Sequence, residues 1–165
     1  MGVNRIVVVA GSIRAESHNK ALAAALAKLG PSDFTFDTVR IDDLPLYNQD
    51  HDGSPSPQVT RLKGAISAAA GVIFVTPEYN RSIPGVLKNA IDHASRPYGQ
   101  SAWTGKPAGI LGYLDMPTMG QPEVFLTAKD GFFDGSGAIA DKGTRTFVQG
   151  WMDTYVAFVK RHAKA

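Results

Sequence analysis

Two polar stretches in this chain carry residue types that can do chemistry. The first is Gly11-Ser12-Ile13-Arg14-Ala15-Glu16-Ser17-His18-Asn19. Ser12 and Ser17 offer hydroxyls, Asn19 an amide and Arg14 a planar charged fork, all within one short loop. Where such a loop opens a helix, free N–H groups join the side chains, and the set suits a phosphate. The plainer alternative is an N-cap at Ser17 or Asn19 with a solvated Arg14. The loop is not a P-loop, because no Gly-Lys-Ser/Thr follows Gly11, and it lacks the G-x-G-x-x-G of a dinucleotide fingerprint. Side chains would therefore hold a phosphate here as much as bare backbone would. The second stretch runs from Thr76 through Pro77, Glu78, Tyr79, Asn80, Arg81, Ser82, Ile83 and Pro84 to Gly85. Two prolines stiffen it, and Tyr79 adds a ring among polar side chains. Such a rim can lie against a flat heteroaromatic ring, with backbone N–H groups and Asn80 or Ser82 meeting its polar edge. Alone it also reads as a proline-stiffened turn. The pairing of the two loops favours a mononucleotide held at both ends.

The elements around the loops place them. Ile6 to Ala10 is an apolar, β-branched run that reads as a buried strand, and Gly11 breaks it. From about His18 the pattern is helical, with Leu22, Ala25, Leu26 and Leu29 on one face. Phe34 to Ile41 alternates as a partly exposed strand. The breakers Gly53, Pro55 and Pro57 mark a long loop after it. Val59 to Ala70 reads as a helix that Gly71 ends, and Val72 to Thr76 as a buried strand. A helix at Val86 to Ser95 and strands at Ala108 to Gly112 and Gln121 to Leu126 follow. The terminal helix spans Asp141 to Arg161, with Phe147, Trp151, Tyr155 and Phe158 as a core-facing stripe. Alternating strands and helices imply a doubly wound α/β domain with a five-stranded parallel sheet and helices on both faces. Both polar loops then leave carboxyl ends of strands, where such folds bind ligands.

Composition bounds the function. At 165 residues the chain reads as one domain over residues 1–165, with 44% hydrophobic and 19% charged residues. A net charge of +2 without a basic tract gives no support for nucleic-acid binding. There is no Cys, so no disulfide, thiolate nucleophile or Cys metal site. His18, His51, His93 and His162 lack metal-ligand spacing. No apolar run approaches the ~20 residues of a membrane span, and the first strand is too short for a signal-peptide core. The expectation is a cytoplasmic protein with no membrane partner.

The two polar stretches, with Leu22-Ala23 after the first and Val86-Leu-Lys-Asn-Ala-Ile-Asp92 after the second, resemble the signatures of the NAD(P)H-dependent FMN reductase family. This is a flavodoxin-like group with quinone, chromate and azo reductase relatives. Leu44-Pro-Leu-Tyr-Asn48 and Asp115 to Val124 extend the likeness over most of the chain. The resemblance implies a flavodoxin-like fold and FMN phosphate contacts from Ser12, Arg14, Ser17 and Asn19. It implies isoalloxazine contacts from Pro77, Glu78, Tyr79, Asn80 and Ser82. It further implies a homodimer or homotetramer. The expected activity passes a hydride from NADPH or NADH to FMN, then two electrons to a quinone, chromate, azo or flavin acceptor. The flavin carries that chemistry, so no catalytic side chain is required. A flavodoxin-type electron carrier is the alternative; such carriers dock through strongly acidic surfaces, and +2 speaks against it. A flavin-free scaffold domain is a third reading.

One segment departs from the family pattern. Gly112 is followed at once by Tyr113, where a crossover between parallel strands needs about a dozen residues. Either residues are missing from the sequence at this point or the chain carries a real deletion, and the mass of the intact chain decides.

Overall fold

The computed structural model describes residues 4–80, 82–109, 118, 119, 124, 126 and 130–163. Its first strand, β1 (Asn4–Ala10), carries four consecutive β-branched residues, and Ile6, Val7, Val8 and Val9 are at most 1% exposed. Each such burial is worth about 1.5–3 kcal/mol, so β1 anchors the sheet. β2 (Phe34–Val39), β3 (Gly71–Val75), β4 (Ala108–Gly109) and β5 (Thr118–Met119) join it in one sheet. Their order is β2-β1-β3-β4-β5, and every neighbouring pair is parallel. The chain thus reverses direction across the sheet beside β1 and β3, which is where doubly wound folds leave a ligand crevice.

Helices cover both faces. Successive residues of a strand point to opposite sides, and β1 uses this strictly. Val7 and Val9 pack with Val72 and Phe74 against Leu62 and Ile66 of α2 (Pro57–Ala68) and Leu87 and Ile91 of α3 (Gly85–Ser95). Ile6 and Val8 pack with Ile73 against Leu26 of α1 (His18–Ala27) and Met152, Tyr155 and Val159 of α4 (Lys142–His162). β2 is at one edge of the sheet; Thr35, Asp37 and Thr38 are exposed there, and Arg5 of β1 pairs with Asp37 at 2.6 Å.

Several boundaries differ from the sequence reading for physical reasons. Gly71 does not end α2; Ala69, in extended conformation, is the C-cap, and Gly71 opens β3. A side chain at Gly71 would stand 2.9 Å from the Tyr155 hydroxyl and 3.1 Å from the Pro107 carbonyl, so the glycine serves packing. On α4 the buried stripe is Val148, Trp151, Met152, Tyr155, Val156 and Val159; Phe147 lies outside it, 51% exposed. Of the four expected aromatic positions, Trp151 and Tyr155 are buried and Phe158 packs partly buried against the same cluster, so only Phe147 turns outward. A fifth strand is at Thr118–Met119; of the expected strand at Gln121 to Leu126, residues 121–123 and 125 lie outside the described residues. Residues 110–112, and with them the end of the expected fourth strand and the abrupt Gly112-Tyr113 join, lie outside the described residues. The register across that join is described: Ala108 pairs with Thr118, only ten residues later.

Candidate functional site

Strand β1 delivers the first polar loop. Gly11 extends it by donating to the Val75 carbonyl at 2.9 Å. Its neighbour in the next strand is Thr76. A Cβ at Gly11 would sit 2.2 Å from the Thr76 Oγ1, so only glycine lets the two loops leave the sheet side by side. Ser17 caps α1, its Oγ accepting from the Lys20 amide at 3.4 Å. The cap was the plainer reading of this loop, and it holds, but it satisfies only one N–H. Between Ser12 and Asn19 no backbone N–H donates to a described residue. Ser12 and Ser17 are 7% exposed, and the Ser12 hydroxyl has no partner among the described residues. Arg14 is exposed, with only a loose ion pair to Glu16 at 3.8 Å. Asn19 is half-buried in the first turn of α1. The result is a run of free donors at a helix start, with a guanidinium at its rim and the positive end of the α1 dipole beneath it.

Strand β3 delivers the second loop. Thr76 turns its hydroxyl onto the Pro77 carbonyl at 3.0 Å. Tyr79 and Ser82 then exchange two backbone hydrogen bonds, 2.9 and 3.0 Å, closing a two-residue hairpin. Asn80 sits inside that hairpin at φ +53°, a left-handed conformation that Asn tolerates better than most side chains. Pro77 is half-buried, and Glu78, Tyr79, Asn80 and Ser82 are exposed. Pro84, in extended conformation, precedes α3. Tyr79 is 54% exposed. Hence Ser12, Ser17, Pro77 and Asn80 share one edge of the sheet, at the carboxyl ends of the adjacent strands β1 and β3.

A third loop closes on α3, and sequence reasoning gave it no role. Asn89 accepts from the Tyr47 amide at 2.8 Å and donates to the Pro45 carbonyl at 2.8 Å. His93 Nε2 lies 2.9 Å from the same carbonyl, and the Tyr47 and His93 rings meet edge to face at 5.3 Å. Arg61 grips Asp43 with two bonds of 2.7 and 2.9 Å and holds its carboxyl below the usual carboxylate range. The Leu44-Pro45-Leu46-Tyr47-Asn48 run was legible only as a resemblance, because the groups that hold it lie more than forty residues on.

Among the described residues no three His, Cys, Asp or Glu gather as a metal site, and no helix is long and apolar enough to cross a membrane. The architecture is that of an open parallel α/β sheet with two polar loops side by side at the carboxyl ends of β1 and β3, where such folds bind ligands. The chain belongs to the NADPH-dependent FMN reductase family, which matches residues 4–122. It is an oxidoreductase of that family. It is 48% identical over 177 positions to the 2-hydroxy-1,4-benzoquinone reductase of a Burkholderia species, covering 94% of this chain and 96% of the relative. It is 43% identical over 179 positions to a quinone reductase of Pseudomonas putida, covering 96% of each. Its structure superposes on FerB, a flavoenzyme NAD(P)H:(acceptor) oxidoreductase from Paracoccus denitrificans, with a TM-score of 0.92 and 35% identity, covering 98% of this chain and all of that one. The Burkholderia alignment spans 177 positions, yet 94% of this chain is about 155 residues, so roughly 22 positions of the relative have no counterpart here.

Proposed function

We propose that this flavodoxin-like chain binds FMN across the carboxyl edge of β1 and β3 and uses it to oxidise NADPH or NADH and reduce a small quinone. The observation that carries this is the run of N–H groups from Ser12 to Asn19 that have no partner among the described residues, beside the hairpin closed by Tyr79 and Ser82. The flavin supplies the redox chemistry, accepting a hydride and releasing two electrons to the acceptor. The protein supplies position and electrostatics. Ser12, Ser17 and Asn19 donate to the phosphate, and Arg14 neutralises it from the rim. Pro77, Glu78, Tyr79, Asn80 and Ser82 form the edge against which the ring lies. The named quinone reductases among the relatives support the acceptor class. We further place the chain in the cytoplasm as a homodimer or homotetramer, the exposed Leu46 and Tyr79 suiting a subunit contact.

The test is anaerobic. Protein with stoichiometric FMN and excess NADPH should bleach the flavin absorbance, and a quinone should restore it. Flavin that binds but does not bleach overturns the reductase reading. Flavin that does not bind overturns the site.

A further inference from the structure

A second cavity lies away from the paired loops. It has a volume of about 340 Å³ and sits between the start of α2, the end of α3 and the loop that follows β2. That volume is within the range of small-molecule sites. The candidate flavin loop adjoins the start of α3 at Gly85, and the cavity lies at the other end, by His93 and Arg96. Eleven helical residues separate them, a rise of about 16 Å.

The lining is cationic. Arg96 and Lys63 line it, and His51 and His93 stand with them. The one carboxylate is Asp52, which accepts from the Tyr47 hydroxyl at 3.4 Å. Arg96 is half-buried, and its guanidinium makes no hydrogen bond or ion pair with any described residue. Lys63 is fixed differently: its ammonium donates to the Arg96 carbonyl, which pins the charge at the cavity wall. A pinned ammonium beside a free guanidinium is preorganised for an anion, and the planar fork matches phosphate oxygens. Pro45, Pro55 and Val59 supply apolar surface for a flat body.

We propose that this cavity binds a phosphate monoester of nucleoside-phosphate size, with Arg96 and Lys63 on the phosphate and the organic body against the prolines. Two sources share that chemistry: the adenosine 2′-phosphate end of NADPH, and a free nucleoside phosphate.

The test is calorimetric titration of the full chain, saturated with FMN so that the Ser12 loop is filled. Adenosine 2′-monophosphate is the probe and adenosine the uncharged control. The phosphate ester should bind at least tenfold more tightly than adenosine. Arg96→Gln should weaken it tenfold or more, and Arg96→Lys should recover part of the loss. A thermal melt of each variant, matching the parent, excludes misfolding. Equal binding of adenosine, or an Arg96→Gln variant that binds like the parent, overturns the site. KM values then identify the source. A rise for NADPH alone in Arg96→Gln assigns the site to the dinucleotide. Unchanged KM for both nucleotides, with probe binding lost, assigns it to a free ester. The site does not depend on the flavin reading: a protein that fails to take up FMN still reports on the cavity through the Arg96 variants.

Discussion

Gly11 and Thr76 touch across the sheet edge so closely that a methyl group on Gly11 would stand 2.2 Å from the Thr76 hydroxyl oxygen and 2.6 Å from its Cβ. That contact sets the spacing between the two polar loops. Gly11→Ala must push β1 and β3 apart at their carboxyl ends. We expect FMN affinity to fall about tenfold or more, which is ~1.4 kcal/mol, and Thr76→Ala in the same chain to restore part of it. Fluorescence titration of FMN measures both; a single variant with parental affinity would refute the spacing argument.

Arg14 stands at the rim of the phosphate loop with only a weak partner in Glu16. Arg14→Gln should weaken FMN about 3- to 10-fold, as loss of one charge-assisted contact does. The salt dependence of binding should also become shallower, since a screened charge has gone. Titrations at two ionic strengths check this. Ser17→Ala acts on the fold as well, because the N-cap of α1 is lost; a stability cost of about 1 kcal/mol by urea unfolding is expected.

Asn89 closes the Pro45–Tyr47 segment onto α3 with two side-chain bonds of 2.8 Å. Asn89→Ala leaves both a backbone N–H and a carbonyl without that partner. Destabilisation of about 1–3 kcal/mol is expected. Hydrogen exchange should localise the added opening to residues 44–52, with β1 unaffected.

Asp141 caps α4, accepting from the Thr144 amide at 2.6 Å. That backbone bond lowers its carboxyl below the ordinary value. A carboxyl lowered on folding stabilises the protein above its unfolded pKa, and the contribution disappears as pH falls through the folded value. Stability should therefore drop below about pH 4. Asp141→Asn keeps the cap but removes the charge, so its melting temperature should vary less over the same acid range.

The mass of the intact chain tests the short join after β4. A value of 17.6 kDa establishes that the chain itself is short there. A value greater by about the mass of 22 residues, the shortfall against the Burkholderia relative, restores an ordinary crossover.

How much was legible depended on range. β1, α1, β3 and α3 were readable because each carries its own signal: a β-branched run, a helical stripe with a Ser cap, or a proline boundary. Ser12, Arg14, Ser17 and Asn19 could be picked out because a turn and a helix start lie within nine residues. The long-range features were not legible. Nothing in the local pattern tells Gly71 apart from a helix stop, since its reason is Tyr155, a residue of α4. Phe147 has the spacing of Trp151, yet it is 51% exposed where Trp151 is buried. The cavity at Arg96 joins residues from two helices and a loop, and no spacing in one stretch announces it.

The exposed face of β2 has a meaning beyond this one chain. An edge strand leaves backbone donors and acceptors open to a strand from another molecule. Asp37, held by Arg5 midway along that edge, places a charge where an incoming strand would have to desolvate it. The ion pair thus disfavours strand addition at that edge, and Asp37→Asn should lower the protein concentration at which light scattering first detects aggregation.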